Sequence, residues 1–188
     1  MKIDGNAIRP GMIIEHKGRL WLATKIQHVQ PGKGGAFLQV ELKDIVAGTK
    51  LNERFRSAET VERVRLDQRE YQYLYTEGDM ATFMDNESFE QVSLPLDFIG
   101  EQAVFLEEGM TVTIESYEGR PMGVHLPETV VRTVTECEPT VRGQTAASSY
   151  KPAVLDNGVR LTVPPFIGAG MRIVVNTADS TYSERARD

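Results

Sequence analysis

The sequence predicts an all-β protein built from three small barrel modules, and three observations lead there. Runs alternate apolar and polar residues between Pro, Gly and Asn breaks, as in Leu20-Trp21-Leu22-Ala23-Thr24-Lys25-Ile26-Gln27-His28-Val29 and Ala36-Phe37-Leu38-Gln39-Val40-Glu41-Leu42. Helical periodicity is scarce. The pattern Phe105-x-x-x-Gly109-Met110-x-Val112-x-Ile114 recurs 61 residues later as Phe166-x-x-x-Gly170-Met171-x-Ile173-x-Val175, so two related β modules stand in tandem.

Residues 1–64 form the first module. Its β runs are separated by Arg9-Pro10-Gly11, His16-Lys17-Gly18-Arg19, Pro31-Gly32-Lys33-Gly34-Gly35 and Ala47-Gly48-Thr49, turn chemistry that closes short strands into a small barrel. Residues 65–127 and 128–188 hold one copy of the repeat each. Upstream of each copy come a strand, an Asp-Asn turn (Asp85-Asn86 and Asp156-Asn157) and another strand, aligned at an offset of 71 residues. The first copy therefore carries ten extra residues around 95–103, expected to form a short helix plugging a barrel end. Modules of about 60 residues with five short strands fit the OB-fold, whose partners are commonly nucleic acids.

Composition sets the outer bounds. A chain of 188 residues with 40% hydrophobic and 26% charged content is globular. The N-terminus lacks an apolar signal core and no stretch approaches membrane-spanning length, so a cytoplasmic protein with no membrane partner is expected. The single cysteine, Cys137, excludes an internal disulfide, and His16, His28 and His125 have no metal-site spacing with it. A monomer is expected. The net charge of −6 is uneven: residues 1–64 hold eleven Lys/Arg against seven Asp/Glu, residues 65–127 three against thirteen, residues 128–188 seven against seven. A basic module joined to a strongly acidic one suits a protein that offers one end to RNA phosphates and keeps its middle off them. Acidic surfaces also serve solubility alone.

Lys33 stands among three glycines on the tip of a hairpin. Pro31, Gly32, Gly34 and Gly35 clear side chains from around it, so its ammonium can enter a narrow cleft, meet polyanions or be reached by a modifying enzyme. A basic residue in a Gly-rich turn is, taken alone, most often a soluble loop tip. The Gly-x-x-x-x-Gly-Lys-Ser/Thr spacing of a phosphate-cradling loop is absent, and no helix pattern follows Gly35, which excludes nucleotide hydrolysis of that type. No catalytic residue is assigned. The carboxylates of residues 65–127 pair with no histidine in an acid/base or metal pattern, Glu107-Glu108 reads as a solvated turn before Gly109, and Ser148-Ser149 lack a nucleophile turn. Trp21 is expected in the core of the first barrel and Cys137 as a buried small residue.

The runs Asn6-Ala7-Ile8-Arg9-Pro10-Gly11-Met12 and His28-Val29-Gln30-Pro31-Gly32-Lys33-Gly34-Gly35-Ala36-Phe37 resemble the bacterial translation elongation factor P family. Tyr71-Gln72-Tyr73-Leu74-Tyr75, Phe83-Met84-Asp85-Asn86-Glu87-Ser88-Phe89-Glu90-Gln91, Lys151-Pro152-Ala153 and Val163-Pro164-Pro165-Phe166-Ile167 follow in the family's order, so the resemblance covers the whole chain. It implies an N-terminal SH3-like (KOW-like) barrel followed by two OB-folds in an L-shaped, tRNA-like arrangement. A third module sets the chain with the bacterial factor rather than its two-domain, hypusine-bearing counterpart. The implied function is non-enzymatic: binding the ribosome between the peptidyl and exit tRNA sites and relieving stalls at consecutive prolines. Partners would be the 70S ribosome, the peptidyl-tRNA or initiator tRNA, and a lysine-modifying enzyme. Lys33 would contact the CCA end, extended by a post-translational group, with no cofactor. Arg9, Lys25, Lys43, Arg54 and Arg56 on the basic module, and Tyr182 and Arg185 in the family's Tyr-x-x-Arg spacing, would touch RNA.

The chain departs from the family's usual pattern at Gly143-Gln144-Thr145-Ala146-Ala147-Ser148-Ser149-Tyr150, where an acidic residue after the glycine and a more Gly-rich continuation are typical, and at Asn176 and Ser180. Some members carry arginine at the tip; this chain has Lys33. Two other classes compete. A lysine-linked cofactor carrier also displays lysine on a β-turn but has no need of two OB-like modules, and a single-strand RNA-binding protein calls for stacking aromatics in a basic groove, whereas residues 65–127 are acidic.

Overall fold

The computed structural model describes residues 1–139 and 149–187. Residues 143–148 of the atypical segment lie outside the described residues. The fold is all-β, with one short helix and three sheets among the described residues. It divides into two compact units, residues 1–68 with 115–123, and residues 69–114 with 124–188.

The first unit is built on a six-stranded sheet that curls into an SH3-like barrel, in the order β1 (Lys2–Asp4), β6 (Thr60–Val64), β2 (Ile13–His16), β3 (Arg19–Val29), β4 (Phe37–Asp44), β5 (Lys50–Arg56). Alternation sends Leu38, Val40 and Leu42 of β4 inward, where they pack with Ile8, Ile14, Trp21, Ala23, Phe55 and Val61. Trp21 is buried as expected, and its indole N–H donates to the His16 carbonyl at 3.0 Å. A bulge at Thr24 interrupts the β3–β4 register, and the Thr24 hydroxyl donates to the Glu41 carbonyl at 3.1 Å. That extra residue puts Lys25, Gln27 and Val29 on the outer face, opposite Glu41, Gln39 and Phe37. A 3₁₀ turn at Gly5–Ala7 lies against β5 so closely that a Cβ on Gly5 would run into the Arg56 carbonyl oxygen.

Two five-stranded sheets follow. One runs β11 (Arg120–His125), β10 (Thr111–Tyr117), β7 (Asp67–Glu77), β8 (Met80–Asp85), β9 (Gln91–Pro95); the other runs β14 (Arg160–Val163), β13 (Lys151–Leu155), β12 (Thr129–Cys137), β15 (Arg172–Asn176), β16 (Thr181–Arg185). The repeat is visible in their hydrogen bonds. Tyr73 N–H donates to Met110 O (2.8 Å) and Gly109 N–H to Tyr73 O (3.0 Å), while Val134 N–H donates to Met171 O (2.9 Å) and Gly170 N–H to Val134 O (2.7 Å). Val112 and Ile114 are buried in the first copy, Ile173 and Val175 in the second. At its first position the repeat diverges: Phe105 is fully buried, Phe166 is 53% exposed, and Ile167 takes the core position instead.

The ten-residue insertion forms a helix, α1 (Leu96–Ile99), and a 3₁₀ turn at Glu101–Phe105, with Ile99 and Phe105 set into the core. Cys137 differs from expectation. It ends β12 at the sheet margin, half-buried, with its thiol 3.6 Å from the Ile167 carbonyl.

Candidate functional site

The β3–β4 hairpin carries the candidate residue, Lys33, in its connecting loop. Val29 pairs with Phe37, leaving residues 30–36 as the connecting loop, in which residues 31–35 are all exposed. Its base is held by Ser57, whose backbone N–H (3.3 Å) and hydroxyl (3.1 Å) both donate to the Ala36 carbonyl. Beyond that clamp the glycines meet almost nothing: a Cβ at Gly32 or Gly35 would find no heavy atom within 4 Å. Gly34 has φ +110°, a conformation in which an L side chain is strained. Lys33 thus projects from a thin, unpacked tip on a clamped base, and its ammonium has no hydrogen bond or ion pair among the described residues.

Behind the tip runs a basic face. Cross-strand register places Phe37 opposite Arg56, Gln39 opposite Arg54 and Gln27, and Glu41 opposite Lys25, so Lys25, Arg54 and Arg56 share one outer face with Phe37. The Arg54 guanidinium stacks 4.4 Å over the Phe37 ring centroid, which fixes a flexible cation near the loop base. One carboxylate interrupts the face. The Thr24 hydroxyl, with Lys50 and Lys25 nearby, holds the Glu41 carboxyl below the usual carboxylate range, and its ion pair is with Lys50, at 3.5 Å. Lys43 pairs with Lys50 at the far end of β4, six residues or about 20 Å from Phe37. Arg9 is exposed, but its guanidinium donates to the Asn6 and Ile8 carbonyls, each at 2.8 Å. The structure therefore gathers Lys25, Arg54 and Arg56 behind Lys33 and leaves Lys43 and Arg9 apart.

Tyr182 and Arg185 lie on β16 in the second unit. Residues three apart on a regular strand face opposite sides, yet Tyr182 pairs with Val175 and Arg185 with Ile173, two residues that point the same way. An extra residue, Ser183, makes this possible, because the register shifts between Val175 and Val174. Tyr182 is half-buried, and burial, with Tyr150 nearby, pushes its phenol above the ordinary tyrosine value. The Arg185 guanidinium lies 5.5 Å from the ring centroid of the exposed Phe166. Neither Phe37 nor Phe166 stands out from sequence: Phe37 reads as core in an alternating strand until its cross-strand partner is known, and Phe166 lies in the turn between β14 and β15, where no strand pattern fixes which way it faces. No group of three His, Cys, Asp or Glu among the described residues could hold a metal ion, and no helix among them is long and apolar enough to cross a membrane.

Three family models match in order: the elongation factor P KOW-like domain over residues 4–61, the elongation factor P OB domain over residues 66–124, and the elongation factor P C-terminal domain over residues 130–185. Elongation factor P of Parvibaculum lavamentivorans is 64% identical over 186 residues, 99% of this chain and all of that protein. That of Chelativorans sp. is 61% identical over the same spans, and that of Bartonella tribocorum 58% identical over all of this chain and 98% of its own. Among solved structures, a eukaryotic translation initiation factor 5A from Methanococcus jannaschii aligns with a TM-score of 0.57 and 26% identity, covering 68% of this chain and 92% of its own. The order of a KOW-like barrel, an OB domain and a C-terminal domain, matched from residue 4 to residue 185, makes the chain a member of the elongation factor P family.

Proposed function

We infer that this chain, a translation elongation factor by family, binds the ribosome between the peptidyl and exit tRNA sites and speeds peptide-bond formation at consecutive prolines. The observation that supports this most is Lys33, exposed on a glycine tip with the cationic face of Lys25, Arg54 and Arg56 behind it. The cationic face meets tRNA phosphates, and the tip carries the lysine ammonium, extended by a post-translational group, to the CCA end of the peptidyl-tRNA. Arg9 and Lys43 contribute at the margin of the same module, and Tyr182 and Arg185 contact RNA from the C-terminal module.

Proline is a poor partner in peptide transfer because its ring constrains φ and removes the amide hydrogen, so it aligns badly. Holding the tRNA end in place restores alignment without acid or base chemistry, and each roughly 1.4 kcal/mol removed from the barrier gives about tenfold in rate. The substrate is a ribosomal complex, and the factor itself makes and breaks no bond. A reconstituted translation system reading two messages tests this. The protein is expected to speed synthesis through three consecutive prolines and to leave a proline-free message nearly unchanged; equal effects on both would contradict the reading.

A further inference from the structure

Arg132 sits in β12 with its side chain only 10% exposed. A buried guanidinium persists where its donors are used, and here the two Nη groups reach out of the C-terminal sheet. Nη2 donates to the Phe105 carbonyl at 3.0 Å and Nη1 to the Glu107 carboxylate at 3.3 Å, both just after the ten-residue insertion. Nε is buried without a hydrogen-bond partner, 4.0 Å from the Asp156 carboxylate on the turn between β13 and β14. A second bond lands beside the first: the Asn157 side-chain amide donates to the Val104 carbonyl at 3.1 Å. The 3₁₀ turn thus offers two successive carbonyls, and the C-terminal sheet grips both, one from β12 and one from the Asp156-Asn157 turn.

We propose that Arg132 is a positioning residue for the factor's action on the ribosome: it locks the C-terminal sheet, with Tyr182 and Arg185, to the 3₁₀ turn of the preceding module. This rests on the reading above. The segment directly after the insertion, from Val104 to Glu107, is the mount for the second copy. Arg132 touches no RNA and acts through the spacing it enforces. A factor whose contact groups are held at a fixed spacing binds without first losing that freedom, so loosening the mount weakens binding more than it lowers the rate once bound.

The test uses full-length Arg132→Met, which keeps bulk and removes the donors, and Arg132→Lys, which keeps the charge but lacks the rigid planar fork that spans the two acceptors. Half-saturation for stimulating triproline synthesis is expected to rise about tenfold in Arg132→Met and less in Arg132→Lys, with the maximal rate at saturation retained in both. Nitroxide labels at Glu77→Cys and Ala178→Cys, on a Cys137→Ala background, are expected to give a narrow distance distribution that broadens with Arg132→Met. Superimposable distributions with half-saturation changed less than twofold would overturn the proposal. If Arg132→Met does not fold, Arg132→Lys and Asn157→Ala, which remove single bonds of the same mount, carry both measurements. Loss of maximal rate rather than affinity would also overturn it. Should Lys33→Ala stimulate as wild type, the functional reading fails, whereas broadened distances in Arg132→Met would still establish the mount.

Discussion

The guanidinium of Arg54 lies 4.4 Å over the ring of Phe37, one strand across and two residues back from the cross-strand partner of Phe37, Arg56. This diagonal pairing turns an aromatic at the root of the lysine loop into a seat for a cation. Phe37 is less than fully buried because it faces outward, yet the stack covers it.

Arg54→Ala is expected to cost no more than about 1 kcal/mol of stability, the value of an exposed cation–π contact. Its effect on ribosome binding is larger in kind. Removing one phosphate contact lowers affinity and reduces the dependence of log affinity on log salt by about one. Arg9→Ala, whose guanidinium is already engaged by its own backbone, is expected to change that slope less. Binding titrations at several salt concentrations check both, and equal slopes for Arg54→Ala and wild type would remove Arg54 from the interface.

Gly109 and Gly170 have φ +84° and +87° and make the same backbone bond in their two sheets. Alanine at either position puts a side chain where φ is unfavourable, at a cost of about 1–2 kcal/mol. Because the two sites are the same place in a repeated unit, Gly109→Ala and Gly170→Ala are expected to destabilise alike, read as midpoint shifts in denaturant at unchanged slope. A marked difference between them would show that the copies differ at this turn.

Much of this was legible in the sequence. The Phe-x-x-x-Gly-Met pattern carried the repeat because a left-handed glycine and alternating core residues are local demands that residue types express directly. The ten-residue insertion was legible too, as a helix, although the seat for Arg132 just after it was not: that contact joins residues 25 to 27 apart, and an arginine in a strand gives no hint of which carbonyl it will find. Bulges were illegible for the same reason. Thr24 and Ser183 each decide which side chains share a face, and nothing in their own chemistry separates them from ordinary strand residues. The exposure of Phe166 beside buried Ile167 was hidden by the repeat itself, which predicted that Phe166 would mimic Phe105.

Asp44 ends β4 almost wholly buried, with its carboxylate accepting from the backbone N–H groups of Ala47 (2.9 Å) and Val46 (2.8 Å) and paired with Arg19 at 3.3 Å. These donors, Ala47 first, hold its carboxyl below the usual aspartate value. A group whose pKa is lowered by folding stabilises the protein above its unfolded value, near 4, and loses that contribution as pH falls through the folded value. Asp44→Asn keeps the shape and an acceptor but not the charge, so it is expected to cost about 1 kcal/mol at pH 7. The gap to wild type is expected to close as pH drops below about 4. Urea unfolding across that range checks it; a gap independent of pH would assign the turn's stability to shape alone.

On the proposed reading, Lys33 acts from an exposed tip and holds nothing in the fold together. Lys33→Ala is expected to leave thermal stability within about 0.5 kcal/mol of wild type, because the side chain packs against nothing. In reconstituted translation of a message with three consecutive prolines, this variant is expected not to accelerate synthesis at any concentration. Lys33→Arg keeps the charge but takes no amine-directed extension, so partial activity would assign the effect to charge and none to the extension. Triproline synthesis as fast with Lys33→Ala as with wild type would show that the hairpin tip is only a turn.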